Sequence, residues 1–172
     1  MHEAVFLDRD GVINKSVDSR PPNNAAELEL LPGVPEAIRR LHQEGFLVFV
    51  VTNQGGVALG YMSKEDLAQI HQKMLAQIEA KGGKITEVRA CTHRPGSDCS
   101  CRKPNPGMLL SLAAKYNLNL KKSYLVGDRE VDLQAGKAAG TTTIFISGNS
   151  AHPLADYICP DLPAAVEWIL SQ

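Results

Sequence analysis

The stretch Ala4-Val5-Phe6-Leu7-Asp8-Arg9-Asp10-Gly11 passes within a few residues from an unbroken apolar run to two acidic residues and a glycine. A run that short, rich in branched and aromatic residues and lacking helical spacing, reads as a strand buried on both faces. Strands of that kind build parallel sheets, and open parallel sheets bind ligands at the carboxyl ends of their strands. Asp8 and Asp10 flank a single residue. If the chain stays extended there, alternation points both side chains to one side, and Gly11 lets the backbone turn sharply afterwards.

Working outward, residues 46–51, 85–90, 123–126 and 141–146 repeat the apolar texture of residues 4–7. Helical periods lie between them. Val34, Ile38 and Leu41 share one face, with Gly45 placed to stop the helix. Leu67, Ile70, Met74 and Ile78 mark a second helix, opened by Ser63 with Asp66 at capping-box spacing. Residues 108–116, 129–139 and 163–170 supply three more. Strand–helix alternation implies a mainly parallel sheet covered on both faces, a Rossmann-like three-layer α/β sandwich. Residues 14–28 read as a polar loop between the first strand and the first helix. Neither repeat nor linker interrupts the pattern, so residues 1–172 are expected to form one domain with a distinct loop at 91–103.

Composition narrows the function classes. The 172 residues are 44% hydrophobic and 22% charged, with a formal net charge of −1. That balance argues against a nucleic-acid or anionic-membrane binder working by bulk charge. No apolar run approaches the ~20 residues that span a bilayer. Met1-His2-Glu3-Ala4 carries no signal-type core, so the cytoplasm is the expected compartment. Without a coiled-coil pattern or an apolar surface stripe, the expected state is a monomer.

The strand ends are polar and chemically coherent. Asp128 ends the fourth strand, with Asp132 four residues later. Carboxylates of Asp8, Asp10 and Asp128 gathered at one sheet edge repel unless a cation sits among them, and hard oxygen ligands suit Mg²⁺. Thr52-Asn53-Gln54-Gly55-Gly56 offers a hydroxyl, an amide and glycine-freed backbone N–H groups suited to phosphate oxygens. Lys103 supplies a positive charge for a phosphoryl group. Cys91-Thr92-His93 and Cys99-Ser100-Cys101 read as C-x-H-x5-C-x-C, a donor set that fills a tetrahedral Zn²⁺ shell and leaves no open position. Zinc at Cys91, His93, Cys99 and Cys101 would therefore be structural, pinning the backbone ahead of Arg102 and Lys103. Cys159 is expected to be a small buried apolar side chain.

The ordered set Asp8-Arg9-Asp10-Gly11, Thr52-Asn53, Lys103 and Gly127-Asp128 with Asp132 resembles the four motifs of the haloacid-dehalogenase-like phosphohydrolases. The resemblance implies that Asp8 is the nucleophile forming an aspartyl-phosphate and that Asp10 is the general acid/base. It implies that Thr52 and Lys103 hold the phosphoryl oxygens. Mg²⁺ would be bound by Asp8, the backbone carbonyl of Asp10, and Asp128, with Asp132 in support. Forty-four positions separate Asp8 from Thr52 and fifty-one separate Thr52 from Lys103. The core elements use up both intervals, so no separate cap domain is expected and specificity falls to the loops.

The zinc loop resembles that of a smaller group, the heptose-bisphosphate and histidinol-phosphate phosphatases. Arg102-Lys103-Pro104-Asn105-Pro106-Gly107-Met108-Leu109-Leu110 is most similar to the D-glycero-D-manno-heptose 1,7-bisphosphate 7-phosphatase branch. The implied substrate is a small phosphorylated sugar, with Asn53 and Arg102 as substrate contacts and Arg102 on the phosphate that is not cleaved. Residues 14–28 lack the Gly-Tyr-Val stretch usual in that branch, and Gly55 and Leu59 replace its Ser and Arg. Histidinol phosphate or another sugar phosphate is the alternative substrate. A phospho-accepting receiver domain also clusters aspartates with Thr and Lys, but it places its acceptor after a middle strand, whereas Asp8 follows the first. His42, His71 and His152 are expected to be solvated and Trp168 to pack. Gly136 and Gly140 are expected to let a helix pack closely and then end.

Overall fold

The computed structural model describes residues 1–148 and 151–172. In chain order its elements are β1 (Ala4–Leu7), α1 (Val34–Gln43), β2 (Leu47–Asn53), α2 (Lys64–Glu79), β3 (Glu87–Cys91), α3 (Gly107–Tyr116), β4 (Tyr124–Gly127), α4 (Glu130–Ala139), β5 (Thr142–Ile146), β6 (Tyr157–Cys159) and α5 (Leu162–Leu170). The six strands form one sheet in the order β3-β2-β1-β4-β5-β6, and every pairing is parallel. The order reverses between β1 and β4, and the crevice beyond their carboxyl ends is the expected ligand position in such a sheet. Among the described residues no helix is long and apolar enough to cross a membrane.

Alternation along the strands builds two cores. Val5, Leu7, Val48 and Val50 face one layer, packing with residues of α1, α2 and α5. Ala4, Phe6, Phe49 and Val51 face the other, where Leu109 and Leu112 of α3 and Ala139 of α4 close over them. Both faces of the sheet are therefore covered, which is why the central strands read as continuous apolar runs.

Local signals account for the element ends. Ser63 and Asp66 make the reciprocal capping box expected of them at the start of α2. Gly140 adopts φ 86° just past α4, and a Cβ on Gly136 would lie 2.7 Å from Thr143 Cγ2. Trp168 stacks on Tyr157 with ring centroids 4.6 Å apart, a packing role. Two expectations need correcting. Strand β6, a three-residue edge strand, lies outside the expected strands; it carries Cys159, which is buried as expected. Neither His71 nor His152 is solvated as expected: His71 is half-buried on α2, with Nε2 3.1 Å from Arg9 Nη1, and His152 is half-buried with its ring 5.0 Å from that of Phe145.

Candidate active site

The floor of the site is set by backbone pairing at the reversal point. Asp8 N–H donates to the Val126 carbonyl at 3.0 Å, so the end of β1 stays registered on β4 and brings Asp8 beside Asp128. Gly11 then turns at φ 85°, and a Cβ there would fall 2.0 Å from Asp128 Oδ2. Only a glycine permits that approach of backbone to carboxylate.

Asp8, Asp10, Asn53, Lys103, Asp128 and Asp132 line one cavity of about 520 Å³. Ser16, Ser19 and Arg20 of the loop after β1 form another part of its wall, and so does Arg129. Lys103 is the hub. Its Nζ donates to Asp8 Oδ1 at 2.9 Å, to Asp132 Oδ1 at 2.5 Å and to the Val51 carbonyl at 2.7 Å. Burial opposes the ammonium charge, but Asp8 and Asp132 together hold Lys103 above its ordinary pKa. Asn53 grips the same residue by its backbone: Asn53 Nδ2 donates to the Lys103 carbonyl at 2.9 Å, and Lys103 N–H donates to Asn53 Oδ1 at 3.0 Å.

One carboxylate oxygen each from Asp8, Asp128 and Asp132 lies within 4.8 Å of the others. Burial pushes Asp8 up to about 7 against the pull of Lys103, with Asp132 adding to the rise. Burial and Asp132 push Asp128 up to about 6. Among the described residues, the buried Asp128 Oδ1 has no hydrogen-bond partner. Three carboxylates against one ammonium leave two negative charges to balance, so the donor set and its charge fit a small divalent cation with oxygen ligands. Asp132 spends its second oxygen on the Arg129 N–H at 3.1 Å, so both its oxygens are engaged.

The carboxylate of Asp10 stands apart from that trio. Its Oδ1 accepts from Arg9 Nε at 3.1 Å, from Arg9 Nη2 at 2.9 Å and from Asn14 Nδ2 at 3.0 Å. Its Oδ2 accepts from Gln54 Nε2 at 2.8 Å. Arg9 is fully buried, and its remaining terminal nitrogen meets His71 Nε2. A guanidinium only donates, so His71 Nε2 must accept and the ring is neutral. Burial and the Arg9 charge accordingly push His71 down to about 4.

Thr52 is buried and is not among the residues that line the cavity; its Oγ1 accepts from Gln54 Nε2 at 2.8 Å. Arg102 sits beside the loop after β2, its Nη1 3.1 Å from where a Cβ on Gly55 would be, and among the described residues that nitrogen has no hydrogen-bond partner. Arg9 and Asn14 carried no functional expectation, His71 was expected only to be solvated, and Gln54 entered only as part of the 52–56 stretch. Period-two alternation put Arg9 opposite the two aspartates and Gln54 on the face of Thr52, and a buried arginine next to a carboxylate could have been read from it.

The cysteine cluster assembles at the end of β3. Cys91 Sγ lies 3.1 Å from Cys101 Sγ and 3.9 Å from Cys99 Sγ, and His93 Nδ1 lies 3.1 Å from Cys101 Sγ. All four donors fall within 4.8 Å of one another. Zn–S bonds of about 2.3 Å in a tetrahedron would space sulfurs by about 3.8 Å; Cys91 and Cys99 stand at that spacing, and Cys91 and Cys101 lie closer.

A family model described as HAD-hydrolase-like matches residues 100–165. The D-glycero-beta-D-manno-heptose-1,7-bisphosphate 7-phosphatase of Rhodopseudomonas palustris is 40% identical over 144 residues, covering 80% of this chain and 79% of that protein. The D-glycero-alpha-D-manno-heptose-1,7-bisphosphate 7-phosphatase of Campylobacter jejuni is 36% identical over 144 residues, covering 84% of this chain and 81% of that protein. The crystal structure of D,D-heptose 1,7-bisphosphate phosphatase from B. bronchiseptica, complexed with magnesium and phosphate, superposes with a TM-score of 0.89 at 34% identity over 98% of both chains.

Proposed function

The chain belongs to the haloacid-dehalogenase-like hydrolases, and on that premise we propose that it removes the 7-phosphate of D-glycero-D-manno-heptose 1,7-bisphosphate, working with Mg²⁺ through an aspartyl-phosphate on Asp8. The observation that carries this reading is the cavity floor, where the Asp8 carboxylate meets Lys103 beside the unpartnered Asp128 Oδ1. Asp8, the Asp10 carbonyl and Asp128 would hold Mg²⁺, which when bound neutralises charge on the phosphoryl oxygens and on the carboxylates. Asp132, tied to Lys103 and to the Arg129 N–H, supports that group.

In the first step an Asp8 oxygen attacks phosphorus as the bond from phosphorus to the sugar oxygen breaks, and Asp10 gives that oxygen a proton. In the second step Asp10 takes a proton from water, whose oxygen attacks phosphorus and returns Asp8 to its carboxylate. Lys103 and the Thr52 hydroxyl hold the equatorial oxygens through both steps, and phosphoryl transfer asks for little beyond such charge and position. Asn53 fixes Lys103 by its backbone, and Arg102 holds the phosphate that is not cleaved. Cys91, His93, Cys99 and Cys101 hold a structural Zn²⁺ that fastens the loop leading into Arg102 and Lys103, and residues 1–172 work as one domain.

Phosphate release with Mg²⁺ tests the substrate, with each anomer of the heptose bisphosphate and histidinol phosphate as parallel arms. A preference of about a hundredfold in kcat/KM for either heptose anomer, roughly 2.7 kcal/mol of transition-state discrimination, is expected. The reverse preference would reassign the substrate and leave the hydrolase chemistry standing.

A further inference from the structure

We propose that Gln54 is a positioning residue for phosphoryl transfer, its one amide nitrogen holding the Asp10 carboxylate and the Thr52 hydroxyl in a shared geometry. The proposal rests on the roles given above to Asp10 and Thr52. Gln54 is 1% exposed, and Nε2 donates to Asp10 Oδ2 and to Thr52 Oγ1, each at 2.8 Å. An amide nitrogen carries two hydrogens, so both are used. Its Oε1 is buried and has no partner among the described residues. A side chain present only to fill space would be better apolar, because a buried unpaired acceptor costs stability and returns nothing. What the amide supplies here is the pair of donors.

Each bond has a chemical consequence. Arg9 and Asn14 both donate to Asp10 Oδ1, so Oδ2, with Gln54 as its single partner, is the oxygen left to exchange a proton with the leaving group and later with water. Gln54 therefore aims the oxygen that does the chemistry. At Thr52 the amide occupies a lone pair of Oγ1, which leaves the hydroxyl proton to donate to a phosphoryl oxygen. The residue is itself anchored, because Gln54 N–H donates to the Cys91 carbonyl at 2.7 Å, at the start of the cysteine cluster.

The leaving group provides a readout that a purely structural role would not move. A sugar oxygen needs a proton as it departs, whereas 4-nitrophenolate, a far weaker base, departs without one. Because kcat/KM reports the steps through phosphoenzyme formation, it isolates Asp10 acting as an acid. Gln54→Met is expected to lower kcat/KM for the heptose bisphosphate about 30-fold or more. For 4-nitrophenyl phosphate the expected loss is only about threefold, the share due to Thr52. Asp10→Asn, run alongside, should show the same contrast more strongly. Equal losses on the two substrates, or none, while Asp10→Asn discriminates, would overturn the role of Gln54 alone. If Asp10→Asn does not discriminate, the acid/base assignment falls and this proposal with it. Should Gln54→Met fail to fold, Gln54→Leu, which also lacks the donors and places no second carboxylate beside Asp10, is read by the same criteria.

Discussion

The Lys103 ammonium and the Asp8 carboxylate meet at 2.9 Å, ninety-five positions apart in sequence and both nearly sealed from solvent. A second carboxylate, Asp132, holds the same nitrogen from the other side. The triad joins the end of β1 to the loop ahead of α3 and the first turn of α4, so its charge balance belongs to the fold as much as to the site.

Lys103→Met should therefore be costly in two ways. It leaves two buried carboxylates without their cation, a loss of about 3–5 kcal/mol by comparison with other broken buried pairs. Urea unfolding should show that loss in the metal-free protein and a partial recovery with Mg²⁺. Turnover should fall below detection. An unchanged midpoint would mean that the triad contributes nothing to folding.

Asp8→Asn should abolish turnover and keep the fold, because an amide fills the same space and removes a charge that burial disfavours. Phosphate release and acid-quench trapping of a phosphoenzyme should both read zero. Residual release above about one part in ten thousand would remove Asp8 from the nucleophile's role.

The linkage of metal to pH follows from the same carboxylates. Asp8 and Asp128 rise from 3.8 to about 7 and about 6, so the folded protein binds protons more readily than the unfolded chain between those limits. Their protonation stabilises the metal-free fold fully below 3.8, and that contribution is lost as pH climbs through 6 and 7. A divalent cation needs the ionised forms. The rise in Tm on adding Mg²⁺ should accordingly be larger at about pH 8 than at about pH 5. A shift independent of pH would detach the metal from these two residues.

With zinc proposed at the cysteine cluster, its removal should loosen the loop at 91–103 without touching Asp8. Cys99→Ala, or chelation, is expected to lower Tm by about 5 °C or more and to open the loop to proteolysis. Activity should fall because Lys103 follows directly, while phosphoenzyme should still form slowly. Full turnover and unchanged thermal stability in zinc-free protein would refute a structural metal here.

Legibility in the sequence tracked how local each signal was. The first strand is found at Ala4–Leu7 as expected, because an unbroken apolar run needs no partner to be recognised. Strand β6 has three residues, too few for any periodicity, and only its pairing with β5 defines it. The chemistry-bearing ends of β1, β2 and β4 were visible for the same reason as the strands. The setting of Asp10 was not, since His71 reaches Arg9 across sixty-two positions and no spacing announces such a pair. Gly55 was visible only as a departure. Its physical reason is room: a Cβ there would meet Pro95 Cδ at 3.0 Å and Arg102 Nη1 at 3.1 Å, so glycine lets the cysteine loop close against the second strand's turn. Nothing in the structure explains Leu59, which is partly exposed.

The reversal of strand order between β1 and β4 also sets a timetable for the chain as it is made. β2 can pair with β1 early, but the other side of β1 stays open until β4 has emerged, and the three carboxylates cannot meet before Asp132 has left the ribosome. Until then the nascent chain holds an unpaired strand edge and a nucleophile without its surroundings. Products truncated or stalled before Asp132 will be chemically silent, and phosphatase activity during synthesis will not appear until β4 has paired with β1.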